Sequence, residues 1–105
     1  MEPGATLRFT AAARTLADAA RRLGLDAPSF RSPPRLTSVD RSLRRHPRGA
    51  VVAVRLRGRP WAAVLADMVE GVVAANDLGA ADADRARAAL WQAVADPAVS
   101  AAQVA

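Results

Sequence analysis

The sequence predicts a small α+β domain over residues 1–97, in the order α-β-β-α-α, with one antiparallel β-hairpin covered by helices. Three observations predict it. Apolar residues recur at helical spacing in three separate stretches. Two short runs of alternating character flank the tetrapeptide His46-Pro47-Arg48-Gly49. Proline or glycine stands at nearly every boundary between these segments. At 105 residues the chain suffices for one core and is too short for two. The same pattern also fits a mostly helical bundle with a peripheral hairpin.

The first helix is expected over about residues 7–23. Phe9, Ala12, Leu16, Ala19 or Ala20, and Leu23 fall on one side, with Arg14, Asp18, Arg21 and Arg22 opposite. Thr6 or Thr10 suits the N-cap, and Gly24 stands where a left-handed terminal residue is wanted. Residues 26–38 follow as an extended connection, because three prolines between Asp26 and Arg35 deny it a helical or strand period. Phe30, the lone large aromatic there, is expected to pin that connection to the core.

The hairpin is expected over residues 39–57, with strands at about 39–45 and 50–57. Proline second and glycine fourth in the turn suit a type I turn closed by a glycine bulge. Val52, Val54 and Leu56 share one face of the second strand, and Val51, Ala53, Arg55 and Arg57 the other. The register stays open, since pairing Leu43 with Val52 requires a different alignment from the one a bulged turn imposes.

A second helix is expected over residues 60–77, opened by Pro60 at its first position. Trp61, Val64, Leu65, Met68, Val69, Val72 and Val73 form its apolar stripe. A third, over residues 82–96, starts at Asp82 as N-cap, turns Ala86, Leu90, Trp91 and Val94 inward, and stops at Pro97. Residues 98–105 carry no pattern and are expected to fray.

Composition narrows the function. Two Phe, two Trp and two Met leave Leu and Val to fill a thin core. Without cysteine there are no disulfides, thiolate metal sites or thiol chemistry, and the chain suits a reducing cytoplasm. All 15 basic residues are Arg, and Lys, Tyr and Ile are absent, as GC-rich coding in a bacterial genome would produce. The longest apolar runs, such as Trp61–Ala66, fall far below the roughly 18 residues of a membrane helix. The start of the chain lacks the pattern of a secretory signal, although Leu7–Leu25 is Arg-rich and amphipathic like both an organellar presequence and an ordinary helix.

The catalytic inventory is poor. Nucleophile-and-base pairs reduce to Ser or Thr with His46, at the hairpin tip. Asp67 and Glu70 are too few to hold a metal, and no phosphate loop or dinucleotide fingerprint occurs. A non-enzymatic protein without metal or small-molecule cofactor is expected.

Charge is more informative. Through residue 60, 13 Arg face four acids, a surplus of +9; beyond it Arg85 and Arg87 face six acids, a deficit of −4. Such a field attracts polyanions. The second helix begins beside Arg57 and Arg59 without a capping side chain, and its acids Asp67, Glu70 and Asp77 lie in the middle and at the end, against its dipole. Two arrangements offset that: an anion held at the helix start with Arg57 and Arg59, or pairing of arginines with Asp67, Glu70 and Asp77, within or between subunits.

The tetrapeptide Arg57-Gly58-Arg59-Pro60 resembles the core of the AT-hook, a motif that binds the minor groove of AT-rich DNA. That resemblance implies an extended segment whose two arginines follow the groove. The residues by themselves suit equally a strand-to-helix turn in which Gly and Pro serve geometry. Sequence-tolerant DNA binding is therefore the leading expectation, through Arg41, Arg44, Arg45, Arg48, Arg55, Arg57 and Arg59. With no aromatic interleaved, base stacking on single strands is disfavoured. The alternative is a homodimeric interaction module that pairs the basic half of one copy with an acidic face of Asp67, Glu70 and Asp77 on another.

Overall fold

In a computed structural model, which describes residues 3–32, 43–46 and 49–95, the elements run α1 (Pro3–Arg22), β1 (Ser29–Arg31), β2 (Leu43–His46), β3 (Gly49–Ala53), α2 (Trp61–Asn76) and α3 (Ala80–Ala95). The α+β class holds, but the order is α-β-β-β-α-α. The sheet is not the lone antiparallel hairpin expected; it is three-stranded and mixed, ordered β1-β3-β2. β1 runs parallel to β3, pairing Ser29 with Val51, Phe30 with Val52 and Arg31 with Ala53. The Val54 N–H adds one bond to the Arg31 carbonyl at 2.8 Å. β2 pairs antiparallel with β3, Leu43 opposite Val52 and His46 opposite Gly49. This is the alignment that sets the two apolar residues across from each other.

α1 begins at Pro3, four residues before the expected start, so Thr6 and Thr10 lie inside the helix and not at its N-terminal boundary. Proline suits the first turn because its missing N–H has no intrahelical partner there. The helix ends in a Schellman arrangement: Leu25 N–H donates to Ala20 carbonyl at 2.8 Å and Gly24 N–H to Arg21 carbonyl at 3.0 Å. Gly24 supplies the required left-handed conformation at φ 75°. Leu25 then packs onto the core while Leu23, expected in the apolar stripe, stays exposed.

β3 lies at the centre. Val52 and Val54 are buried beneath α2, whose Gly71 lies so close that a Cβ there would stand 2.6 Å from Val52 Cγ1. Leu16, Val54, Val64, Met68, Val69, Val72 and Leu90 are fully enclosed, which joins α1, β3, α2 and α3 in one cluster. Each such side chain contributes about 1.5–3 kcal/mol on burial. Phe30 reaches this cluster and meets Phe9 edge-on, with centroids 6.5 Å apart, so the anchoring role expected of it is filled.

Other boundaries shift. Pro60, with φ −65° and ψ 148°, is the cap residue of α2 and not its first helical residue; its carbonyl accepts from Ala63 and Val64 N–H groups. Asp77 ends that helix in the left-handed region. Gly79, whose carbonyl accepts the Ala83 N–H at 2.8 Å, opens α3, which places Asp82 within the first turn instead of at the cap. Ala83, Ala86, Leu90 and Val94 are the buried stripe of α3, and Trp91, expected inward, lies beside it and is 37% exposed. The second hairpin strand ends at Ala53, not Arg57, because the chain turns away toward α2. Residues 39–42 of the first expected strand, the turn residues 47–48 and the tail 98–105 fall outside the described residues. No helix among the described residues is long and apolar enough to cross a membrane.

Candidate nucleic-acid interface

Burial alternates along the chain from β3 toward α2. Val52, Val54 and Leu56 are buried, while Arg55 and Arg57 are exposed. In β1 the order is the same: Phe30 packs inward and Arg31 is exposed. Because Arg31 is opposite Ala53 and its carbonyl holds Val54, Arg31 and Arg55 emerge at the same end of the sheet, on the face away from the helices. Nothing in the sequence marked Arg31, which stood in a proline-flanked segment without strand period.

Beyond Arg55 the chain makes a tight turn. Arg59 N–H donates to the Leu56 carbonyl at 3.3 Å, and Gly58 takes φ 72°, the sign that the third residue of a type II turn needs. Arg57 projects from this turn into solvent. Arg59 does the opposite. Its guanidinium donates to Asp67 Oδ2 at 2.7 Å, to the Arg55 carbonyl at 3.1 Å and to the Ala63 carbonyl at 3.4 Å, and its side chain is only 12% exposed. The tetrapeptide that resembles an AT-hook core is thus a folded strand-to-helix turn, with one arginine outside and one turned in. Asp67 also answers the dipole conflict at the start of α2 by neutralising the cation beside it.

The other acids are largely spoken for. Glu70 Oε2 accepts from Arg87 Nε at 2.7 Å across the α2–α3 contact, and Arg87 also reaches Asp84 at 2.9 Å. The hydrogen bond to Glu70 is the main cause that holds the Arg87 guanidinium above its ordinary range; partial desolvation opposes it and the charges of Glu70 and Asp84 reinforce it. Asp82 pairs with Arg85, and Asp18 with Arg21 at 3.0 Å. Exposed pairs of this kind add little stability, with a median of about 0–1 kcal/mol. Their larger consequence is for the surface field, since they cancel negative charge where it stands.

Of the three acids expected to form a partner face, Asp67 and Glu70 are therefore engaged within the chain, and Asp77 is the exposed cap residue of α2. Arg31, Arg55 and Arg57 have no acidic partner among the described residues. Arg8, also unmarked in the sequence, stacks over Trp61 with its guanidinium carbon 5.3 Å from the ring centroid, close to the start of α2. Arg44 and Arg45 of β2 are opposite Val51 and Ala50 in the strand register. Arg41 and Arg48 lie outside the described residues.

Comparison with family models, curated proteins and solved structures finds no match. Among the described residues no three His, Asp or Glu side chains gather as metal ligands. A shallow groove of about 340 Å³ between α1 and α3 is lined by Ala19, Arg22, Leu23, Ala89, Gln92 and Ala93, a set without an acid–base pair.

Proposed function

We propose that the protein binds nucleic acid through the phosphate backbone and tolerates many sequences. The surface would comprise the helix-free face of the sheet at Arg31 and Arg55 and the turn at Arg57. One observation carries this reading: the acids of α2 and α3 are engaged by Arg59, Arg85 and Arg87, whereas Arg31, Arg55 and Arg57 are exposed without an acidic partner among the described residues. These three arginines therefore present positive charge that no acid of the described chain offsets, on a face and turn that adjoin each other. The absence of an exposed aromatic among Arg31, Arg55 and Arg57 favours a duplex backbone over stacked single-stranded bases. The test is fluorescence anisotropy with labelled duplex DNA over a salt series. Micromolar binding at about 50 mM salt that weakens steeply as salt rises supports the reading, and no binding there removes it.

A second reading is self-association. What favours it is the place of β2 at the edge of the sheet among the described residues, where its outer backbone donors and acceptors would suit a second copy. Pairing of basic and acidic halves draws less support, since Asp67 and Glu70 already hold arginines of their own chain. Light scattering decides: a monomer at all concentrations eliminates the dimer, and a dimer that dissociates when Asp67→Asn and Glu70→Gln are combined restores the acidic face.

A further inference from the structure

Arg59 ties together three points of the chain. Its guanidinium reaches back four residues to the Arg55 carbonyl, forward four to the Ala63 carbonyl, and two helical turns into α2 to Asp67. Between its first anchor and its own backbone stand Leu56, buried in the core, Arg57, and Gly58 at φ 72°. Arg57 is thus fixed on both sides, by Leu56 before it and by Arg59 after it. Arg55 is fixed through its own carbonyl.

We infer that Arg59 and Asp67 are a positioning pair: they contact no phosphate, and they hold Arg55 and Arg57 in the arrangement that meets one. This inference rests on the nucleic-acid reading above. Its physical basis is preorganisation, because an exposed arginine on a loosely held turn must surrender conformational freedom on binding, and a clasped turn has already done so. Arginine suits the task and lysine does not: a planar fork donates to a carboxylate and two carbonyls at once, whereas an ammonium is a compact point charge.

The inference makes a prediction opposite in sign to simple electrostatics. Asp67→Asn removes a negative charge and unleashes Arg59, so a protein that binds by net charge alone would gain affinity for DNA. A positioning pair predicts a loss of about three- to tenfold at fixed salt, with the slope of log K against log salt unchanged. Arg57→Gln lowers that slope by about one, as removal of a phosphate contact does. Asp67→Glu, which retains the carboxylate, restores most of the affinity. Arg59→Lys preserves charge and fold yet weakens binding in the same way as Asp67→Asn, which covers the case in which the latter unfolds.

Two results overturn the inference: a lower salt slope for Arg59→Gln, which would make Arg59 a phosphate contact, or equal or tighter binding by Asp67→Asn. If the unaltered protein binds no DNA, the functional reading fails separately. The clasp is then judged by amide hydrogen exchange at Arg59, whose N–H is bonded to the Leu56 carbonyl and should exchange about tenfold faster in Asp67→Asn; unchanged exchange refutes it.

Discussion

The side chain of Asn76 exchanges two hydrogen bonds with the backbone of Asp26: the Asp26 N–H donates to Oδ1 at 2.7 Å, and Nδ2 donates to the Asp26 carbonyl at 3.0 Å. The same Nδ2 also donates to the Val72 carbonyl at 2.8 Å, one turn back in α2. One amide thus imitates a strand partner and secures the chain leaving α1 to the end of a helix fifty residues on. Asn76→Ala should cost about 1–2 kcal/mol. Asn76→Asp should cost more, since it sets a negatively charged oxygen against the Asp26 and Val72 carbonyl oxygens at the C-terminal end of α2. Urea unfolding, read as a shift of midpoint at constant slope, measures both.

The approach of α2 to the sheet yields a second expectation. Gly71→Ala drives a methyl to within 2.6 Å of Val52 Cγ1, and overpacking of this kind costs about 1–3 kcal/mol. Val52→Ala makes room for it. The double variant should therefore be more stable than the sum of the two single losses predicts, by at least about 0.5 kcal/mol. Strict additivity would mean that helix and strand do not meet there.

Left-handed residues separate backbone effects from packing. Gly24 has nothing within 4 Å of a would-be Cβ, so the cost of Gly24→Ala, about 1 kcal/mol, comes from its φ of 75° alone. Asp77 presents the reverse situation, an ordinary residue at φ 50° that also places a negative charge at the C-terminal end of α2. Asp77→Gly relieves both and should raise stability by about 0.5–1 kcal/mol. Thermal melts of the two variants should move in opposite directions.

The proposed interface distinguishes arginines that are alike in sequence. Arg31→Gln and Arg55→Gln should each reduce the salt dependence of DNA binding by about one unit of slope. Arg85→Gln, whose partner Asp82 is left behind on the far half of the charge split, should leave the slope as it was. Equal effects from all three would assign binding to net charge and not to the sheet face.

The three helices were legible because their hydrogen bonds are local. The stripe Phe9, Ala12, Leu16, Ala19 and Ala20 is buried as its spacing requires, and Gly24 and Pro60 punctuate the chain through their own backbone preferences. Such signals lie within one or two turns. The misplaced ones, Leu23 and Trp91, sit at the rim of an apolar stripe, where periodicity cannot tell which neighbour covers them.

β1 had no such signal. A three-residue strand beside prolines becomes a strand only because Phe30 packs on Phe9 and because β3, about twenty residues later, offers parallel partners. The alignment of β2 was likewise open until Leu43 met Val52.

For the surface, residue types and their uneven distribution along the chain were enough to establish a basic half, an acidic half and a poor catalytic inventory. Which arginines remain outward was decided by packing. Arg59 and Asp67 are eight residues apart and Glu70 and Arg87 seventeen, and each pair forms because a turn or a helix contact brings opposite charges within 3 Å. Coulomb energy depends on that separation in space, which no count of charges along the chain contains.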